Sequence, residues 1–151
     1  MGDPVTAAGL APLDGVVGYR LRRLSGLMIA GWGRWMAARG IDVTPVQGGI
    51  LMLIGGNAGI TQVELARLLG IEGPTLLQAL GPLRAAGFVT RARSTRDGRA
   101  FCLGLTGAGE RMAARIEREI PALEANSLAG LDAAERQTLL ALVRKAIGAA
   151  G

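Results

Sequence analysis

Ile60-Thr61-Gln62-Val63-Glu64-Leu65-Ala66-Arg67-Leu68-Leu69-Gly70, continued by Ile71-Glu72-Gly73-Pro74-Thr75-Leu76-Leu77, is the stretch that decides how this chain folds. Thr61 with Glu64 three residues on forms a capping box, in which hydroxyl and carboxylate satisfy backbone N–H groups that a helix start leaves open. Ile60 and Leu65 flank it as a hydrophobic staple. The spacing predicts a short helix over 62–69 that buries Val63, Leu65, Ala66 and Leu69. It stops at Gly70, the residue type favoured just past a helix end. A second helix opens around Glu72-Gly73-Pro74-Thr75 and carries Leu76, Leu77, Leu80 and Leu83 to Gly87. Two short helices joined by a three- or four-residue turn with glycine make a helix-turn-helix.

Past Gly87 the period changes. Phe88-Val89-Thr90-Arg91 and Ala100-Phe101-Cys102-Leu103-Gly104-Leu105 gather β-formers on either side of Ser94-Thr95-Arg96-Asp97-Gly98, whose Asp-Gly is a hairpin signal. A β-hairpin, or wing, therefore follows the helix pair. Upstream, Leu21, Leu24, Met28, Trp32, Trp35 and Met36 recur at helical spacing, predicting one long helix over 16–38. Thr44-Pro45 restarts a helix that runs through Ile54, with a capping hydroxyl and proline at its first position. Downstream, Thr106 caps a helix over 110–127, and Asp132 with Glu135 caps a last one over 133–147. The fold class is mainly α with a small β-hairpin wing (α+β): a winged helix-turn-helix with N- and C-terminal dimerisation helices. The expected layout is a flexible arm over 1–14, a helical dimerisation region from 15–42 and 107–151, and a DNA-binding lobe over 43–106, in one compact domain.

Half of the 151 residues are apolar, enough for one core. Lys and Arg number 17 against 12 Asp and Glu, a net charge of +5 that favours a polyanionic partner. Histidine is absent and Cys102 is the only cysteine, which rules out Cys/His zinc sites, His-based triads and internal disulfides within one chain. No pair of carboxylates marks a reaction centre, so the expectation is no enzyme, no cofactor and no metal. Cys102 itself reads as a small buried hydrophobe. The apolar run 48–56 is far short of the roughly 20 residues a bilayer needs, and no hydrophobic signal core follows Met1. A cytoplasmic protein without a membrane contact is expected.

An α-helix fits the major groove, so the second helix of the pair is the reading element, with Thr75 and Gln78 at its exposed start. Gln suits adenine; the bland alternative is two solvated helix positions. Arg91, Arg93, Arg96 and Arg99 cluster on the hairpin, with Arg84 just before it. Arginine at a wing tip can enter a minor groove, or charge can simply protect strand edges. Asp97 would organise Arg96 or Arg99 rather than touch DNA. One reading helix covers few base pairs, which implies a homodimer. Leu128, Leu131, Leu139, Leu140, Leu142 and Val143 supply apolar surface for it. Tyr19, Trp32 and Trp35 either line a small-molecule pocket or belong to the core.

Taken together, Ile60 to Ala66, Ile71-Glu72-Gly73-Pro74-Thr75-Leu76, Ala86-Gly87-Phe88-Val89 and Leu105-Thr106 resemble the MarR family, the multiple antibiotic resistance regulators, and within it the SlyA-like group. The resemblance covers 43–147. It implies a dimeric winged-helix repressor or activator that binds palindromic promoter DNA, many such regulators releasing it when a small, often aromatic or phenolic, ligand binds. By this likeness Pro74, Thr75 and Gln78 enter the major groove and Arg99 the minor groove, while Arg93 and Arg96 meet phosphates. Thr61, Gln62 and Arg84 complete the expected DNA contacts. The chain departs from the family at three places. Asp97-Gly98-Arg99-Ala100 lacks the first of two wing arginines, Gln78 stands where a basic residue is common, and Gly81-Pro82 replaces a polar pair. Proline in a helix interior predicts a kink or an end near 78–80. These departures leave an alternative, a MarR-like dimer with weakened DNA binding that acts as a ligand sensor or protein-interaction module.

Overall fold

A computed structural model describes residues 11–93 and 101–148. The first ten residues of the expected arm, the hairpin turn 94–98, and with them Arg96, Asp97 and Arg99, lie outside the described residues. After a 3-10 turn at Ala11–Leu13 come α1 (Val17–Ala37), α2 (Pro45–Gly56), α3 (Gln62–Leu69), α4 (Gly73–Ala85), β1 (Val89–Arg93), β2 (Phe101–Leu105), α5 (Gly107–Ser127) and α6 (Ala133–Gly148). No described helix is long and apolar enough to cross a membrane.

Local capping sets most of these boundaries. Thr44 Oγ1 accepts from Gln47 N at 3.2 Å while Gln47 Oε1 accepts from Thr44 N at 2.9 Å, and Pro45 sits at the first helical position. Thr61 and Glu64 form the same reciprocal pair on α3, as do Asp132 and Glu135 on α6. Gly70 ends α3 in the left-handed region at φ 64°, where a side chain would be strained. Thr106 does double duty: its hydroxyl accepts from Gly109 N at 3.0 Å and donates to the Gly87 carbonyl at 2.6 Å. This ties the start of α5 to the turn between α4 and the wing.

β1 and β2 pair antiparallel with Val89 opposite Leu105 and Arg93 opposite Phe101. A third rung comes from the chain entering α3. Leu103 N donates to the Ile60 carbonyl at 2.8 Å, and Thr61 bridges Cys102. The wing is thereby stitched to the helix pair. Cys102 is half-buried there rather than enclosed as expected.

One continuous core runs from Met36 on α1 through Ile41, Ile50, Leu51, Leu65, Leu76 and Leu80 to Ile116 on α5. The Trp32 ring packs against Gly48, where an added Cβ would come within 2.7 Å of the indole. Its Nε1 donates to the Val43 carbonyl at 2.7 Å. Trp32 is thus held by the lobe it covers.

One burial expectation fails: Val63 is 80% exposed, and Leu77, carried on the second helix, is 57% exposed. Leu65 and Leu69 on α3, and Leu76, Leu80 and Leu83 on α4, already span the inward arc of each helix, so Val63 and Leu77 fall beyond its edge. The expected break at Pro82 is also absent: α4 continues through it to Ala85. Leu80 and Leu83 are buried on either side of the proline and hold the backbone in register. The Gln78 carbonyl that loses its N–H partner belongs to an exposed residue and is open to water.

The α1–α5 junction is polar. Trp35 Nε1 donates to Glu119 Oε2 at 2.9 Å, Arg39 pairs with the same carboxylate, and the Arg39 guanidinium lies 3.7 Å over the Trp35 ring. Arg115 donates to the Arg39 carbonyl. The Trp35 hydrogen bond, aided by the Arg39 charge and opposed by partial desolvation, holds the Glu119 carboxyl below the usual glutamate range. A carboxyl depressed in the folded state adds stability above its unfolded pKa and loses it as pH falls through the folded one. We expect the thermal midpoint to drop on acidification through this window and Glu119→Gln to flatten that drop. An unchanged pH profile in the variant would contradict the linkage.

Candidate nucleic-acid interface

α3 and α4 are locked together by Leu65, Leu69, Leu76 and Leu80, and Ile71 N donates to the Ala66 carbonyl at 3.1 Å to close the turn between them. This buries one arc of α4 and leaves the opposite arc in solvent. Pro74, Thr75, Leu77, Gln78, Gly81, Pro82 and Arg84 are all exposed. At 100° per residue, Pro74, Gln78, Gly81 and Ala85 form the outermost line, Leu77 and Arg84 flank it on one side, and Thr75 and Pro82 flank it on the other. Pro74, Thr75 and Gln78, expected in one groove, therefore share an exposed surface, with Arg84 at its far end.

Thr61 has a different task. Its hydroxyl donates to Glu64 Oε2 at 2.8 Å and accepts from Glu64 N, and its own N–H donates to the same carboxylate. The Thr61 hydroxyl and N–H are engaged in capping, so the residue positions α3, and a DNA contact there is a proposal. Gln62 is half-buried at the first position of that helix.

On the wing, Arg93 stands at the described end of β1. The Arg91 guanidinium lies 3.6 Å over the Phe101 ring and that of Arg93 5.4 Å from it. One aromatic ring thus steers two cations of neighbouring positions on one strand face, as cation–π attraction favours. Arg91 appeared in the sequence only as part of the basic cluster; its partner Phe101, ten positions away in the opposed strand, is what distinguishes it. Leu77 is the other residue missed, because it was read only as one of the apolar residues the helix carries.

The aromatic trio expected to line one pocket is split. A cavity of about 660 Å³ lies between α1, α5 and α6, lined by Trp32 together with Leu24, Met28, Ile120, Ser127 and Leu139 among others. Trp35 is drawn away to the Glu119–Arg39 cluster, and Tyr19, near the start of α1, does not line this cavity either. The Ser127 hydroxyl in its wall is buried and has no hydrogen-bond partner. No described residue of α6 is fully buried: Leu139 and Val143 are half-buried, and Leu140, Leu142 and Ile147 are exposed.

Comparisons with known proteins agree with this geometry. A profile of the MarR family matches residues 41–100. A Thauera aromatica protein assigned as a transcriptional regulator for the hcr operon is 30% identical over 133 residues, spanning 88% of this chain and 80% of that protein. The PcaV transcriptional regulator of Streptomyces coelicolor, solved with its natural ligand, is similar at TM-score 0.80 and 25% identity, over 92% of this chain and 96% of that one. The transcriptional repressor CouR, solved on a 23-mer DNA duplex, is similar at TM-score 0.82 and 27% identity, over 96% of this chain and 99% of that one.

Proposed function

The chain belongs to the MarR family of transcriptional regulators, and from that premise we propose that it binds double-stranded promoter DNA sequence-specifically, as a homodimer, and represses by occlusion. The observation that carries this reading is the solvent-facing arc of α4, which sets Pro74, Thr75 and Gln78 beside a wing bearing Arg91 and Arg93. A convex helix next to a cationic ribbon suits a major groove and its flanking phosphates. In the sequence Arg96 and Arg99 fall between the two strands; Arg99 is assigned the minor groove and Asp97 the task of organising Arg96 or Arg99. The finer likeness to the SlyA-like group belongs to this proposal, as does a cytoplasmic site of action.

α6 supplies the dimer surface. A helix that leaves Leu140, Leu142 and Ile147 exposed gains stability from a second one that covers them, and a two-fold pair reads a palindrome. The cavity between α1, α5 and α6 would take a small aromatic or phenolic ligand against Trp32, with the unpartnered Ser127 hydroxyl available to hydrogen-bond it. PcaV was solved with a ligand and CouR on DNA, which fits both halves of the reading.

Titration of selected operator DNA at several salt concentrations tests it. Affinity should fall steeply with salt as phosphate contacts release counterions. Arg99→Ala should weaken specific binding by about tenfold while leaving the thermal midpoint unchanged. Salt-independent binding, or none, would sink the proposal.

A further inference from the structure

Building on the DNA-binding reading, we propose that the half-site under α4 consists of A·T pairs, and that Leu77 is a specificity-determining residue which packs on thymine 5-methyl groups beside an adenine held by Gln78. Guanine is most often read by Arg or Lys, whose paired donors match its O6 and N7. Residues 73–83 contain no cation, and the single one on α4, Arg84, lies in the last turn. The outermost line of the helix offers one hydrogen-bonding side chain, Gln78, between Pro74, Gly81 and Ala85. A primary amide both donates and accepts, which matches adenine N7 and N6 and not the two acceptors of guanine.

Leu77 stands next to it, and more than half of its surface is in water. The fold has spare inward positions for no further leucine, since Leu76, Leu80 and Leu83 fill that arc; the side chain is left facing the same groove as Gln78 on the flank shared with Arg84. In the major groove the one apolar group on a base edge is the thymine methyl. Close approach is open as well. A Cβ at Gly81 would meet nothing within 4 Å, so this line of the helix presents only its backbone and Ala85 beyond Gln78. Adenine for Gln78 and thymine for Leu77 are the two halves of one kind of base pair.

Enrichment from random duplex DNA by the full-length protein supplies the site, and deoxyuridine in place of thymidine then removes methyls one at a time. The expected selection is A·T at the positions under α4. Wild type should lose about fourfold in affinity for each contacted methyl removed. Leu77→Ala should bind thymidine DNA as weakly as wild type binds the deoxyuridine form, and should no longer distinguish the two. Gln78→Ala should lose about 5- to 150-fold and relax selection at the adenine. Both side chains are exposed, so an unchanged thermal midpoint checks that the variants fold. A selected site with G·C pairs at these positions, or wild-type indifference to deoxyuridine, would overturn this inference while leaving DNA binding intact. Absence of any selected sequence would overturn the DNA-binding reading, and this with it.

Discussion

Alanine at Gly109 is expected to destabilise the protein by about 3 kcal/mol or more, lowering the thermal midpoint by about 10 °C. The added Cβ would lie 2.1 Å from the Phe88 carbonyl oxygen and 3.0 Å from its carbon. Both are backbone atoms that cannot rotate aside as the tip of a side chain could. They are also tethered, because Phe88 O accepts from Thr106 N at 3.0 Å and Phe88 N donates to the Leu83 carbonyl at 2.9 Å. Moving that peptide breaks the link between the end of α4, the first strand of the wing and the start of α5. Against a total stability of about 5 to 15 kcal/mol for a domain, the loss is a large fraction. The wing would shift with it, so DNA affinity should fall in the same variant. Gly81→Ala is the control: it lies inside α4 with open space around it and should be neutral or stabilising by about 0.5 to 1 kcal/mol. Equal behaviour of the two variants in urea or thermal unfolding would refute the role assigned to Gly109.

Gly109 illustrates which features the amino-acid order exposes to reading. Thr106 announces a helix start because hydroxyl capping is local, and so do Thr44, Thr61 and Asp132; each partner lies three residues away. Gly70 and the two strands around Asp97-Gly98 are similarly local signals. The close approach of Phe88 to Gly109 is not, since it depends on how a strand and a helix 21 positions apart meet. The same distance problem hides the Trp35–Glu119 hydrogen bond, which spans 84 positions and removes Trp35 from the ligand cavity where its aromatic character had placed it. Leu77 and Val63 show a second limit. Apolar periodicity counts every leucine and valine alike, and it cannot tell an inward arc that is already full from one with room. Pro82 shows a third: the local penalty for proline in a helix is outweighed by burial of Leu80 and Leu83 on both sides of it. The element order was therefore legible almost throughout. The reading surface was legible in part, because Gln78 and Thr75 are polar at an exposed start, while the exposure of Leu77 is a product of tertiary packing.

Truncating Ile116 to alanine is expected to cost about 2 to 5 kcal/mol, and to do so in a single cooperative transition. The side chain is fully buried on α5 and reaches toward α2, where a Cβ at Gly48 would sit 3.7 Å from its Cγ2. Gly48 is also the floor on which Trp32 of α1 rests, so α1, α2 and α5 converge on this point. A hole here cannot be refilled by Trp32, whose Nε1 is held by the Val43 carbonyl, nor by α2, which is pinned by Ile50, Leu51 and Ile54 on its other contacts. The core that Ile116 joins extends without interruption from Met36 to Leu123. α1 and α5 should thus lose stability together with α2, α3 and α4. Trp32 and Trp35 are the two tryptophans of the chain and both lie on α1, so their fluorescence reports one region while circular dichroism reports all helices. The two probes should shift by the same amount in Ile116→Ala. Leu142→Ala provides the contrast, because that side chain is 59% exposed in one protomer: its effect should appear only as a dependence of the midpoint on protein concentration. Separated transitions in Ile116→Ala would mean that the two regions fold independently, and that the proposed reading helices are not rigidly coupled through α5 to α1 and α6.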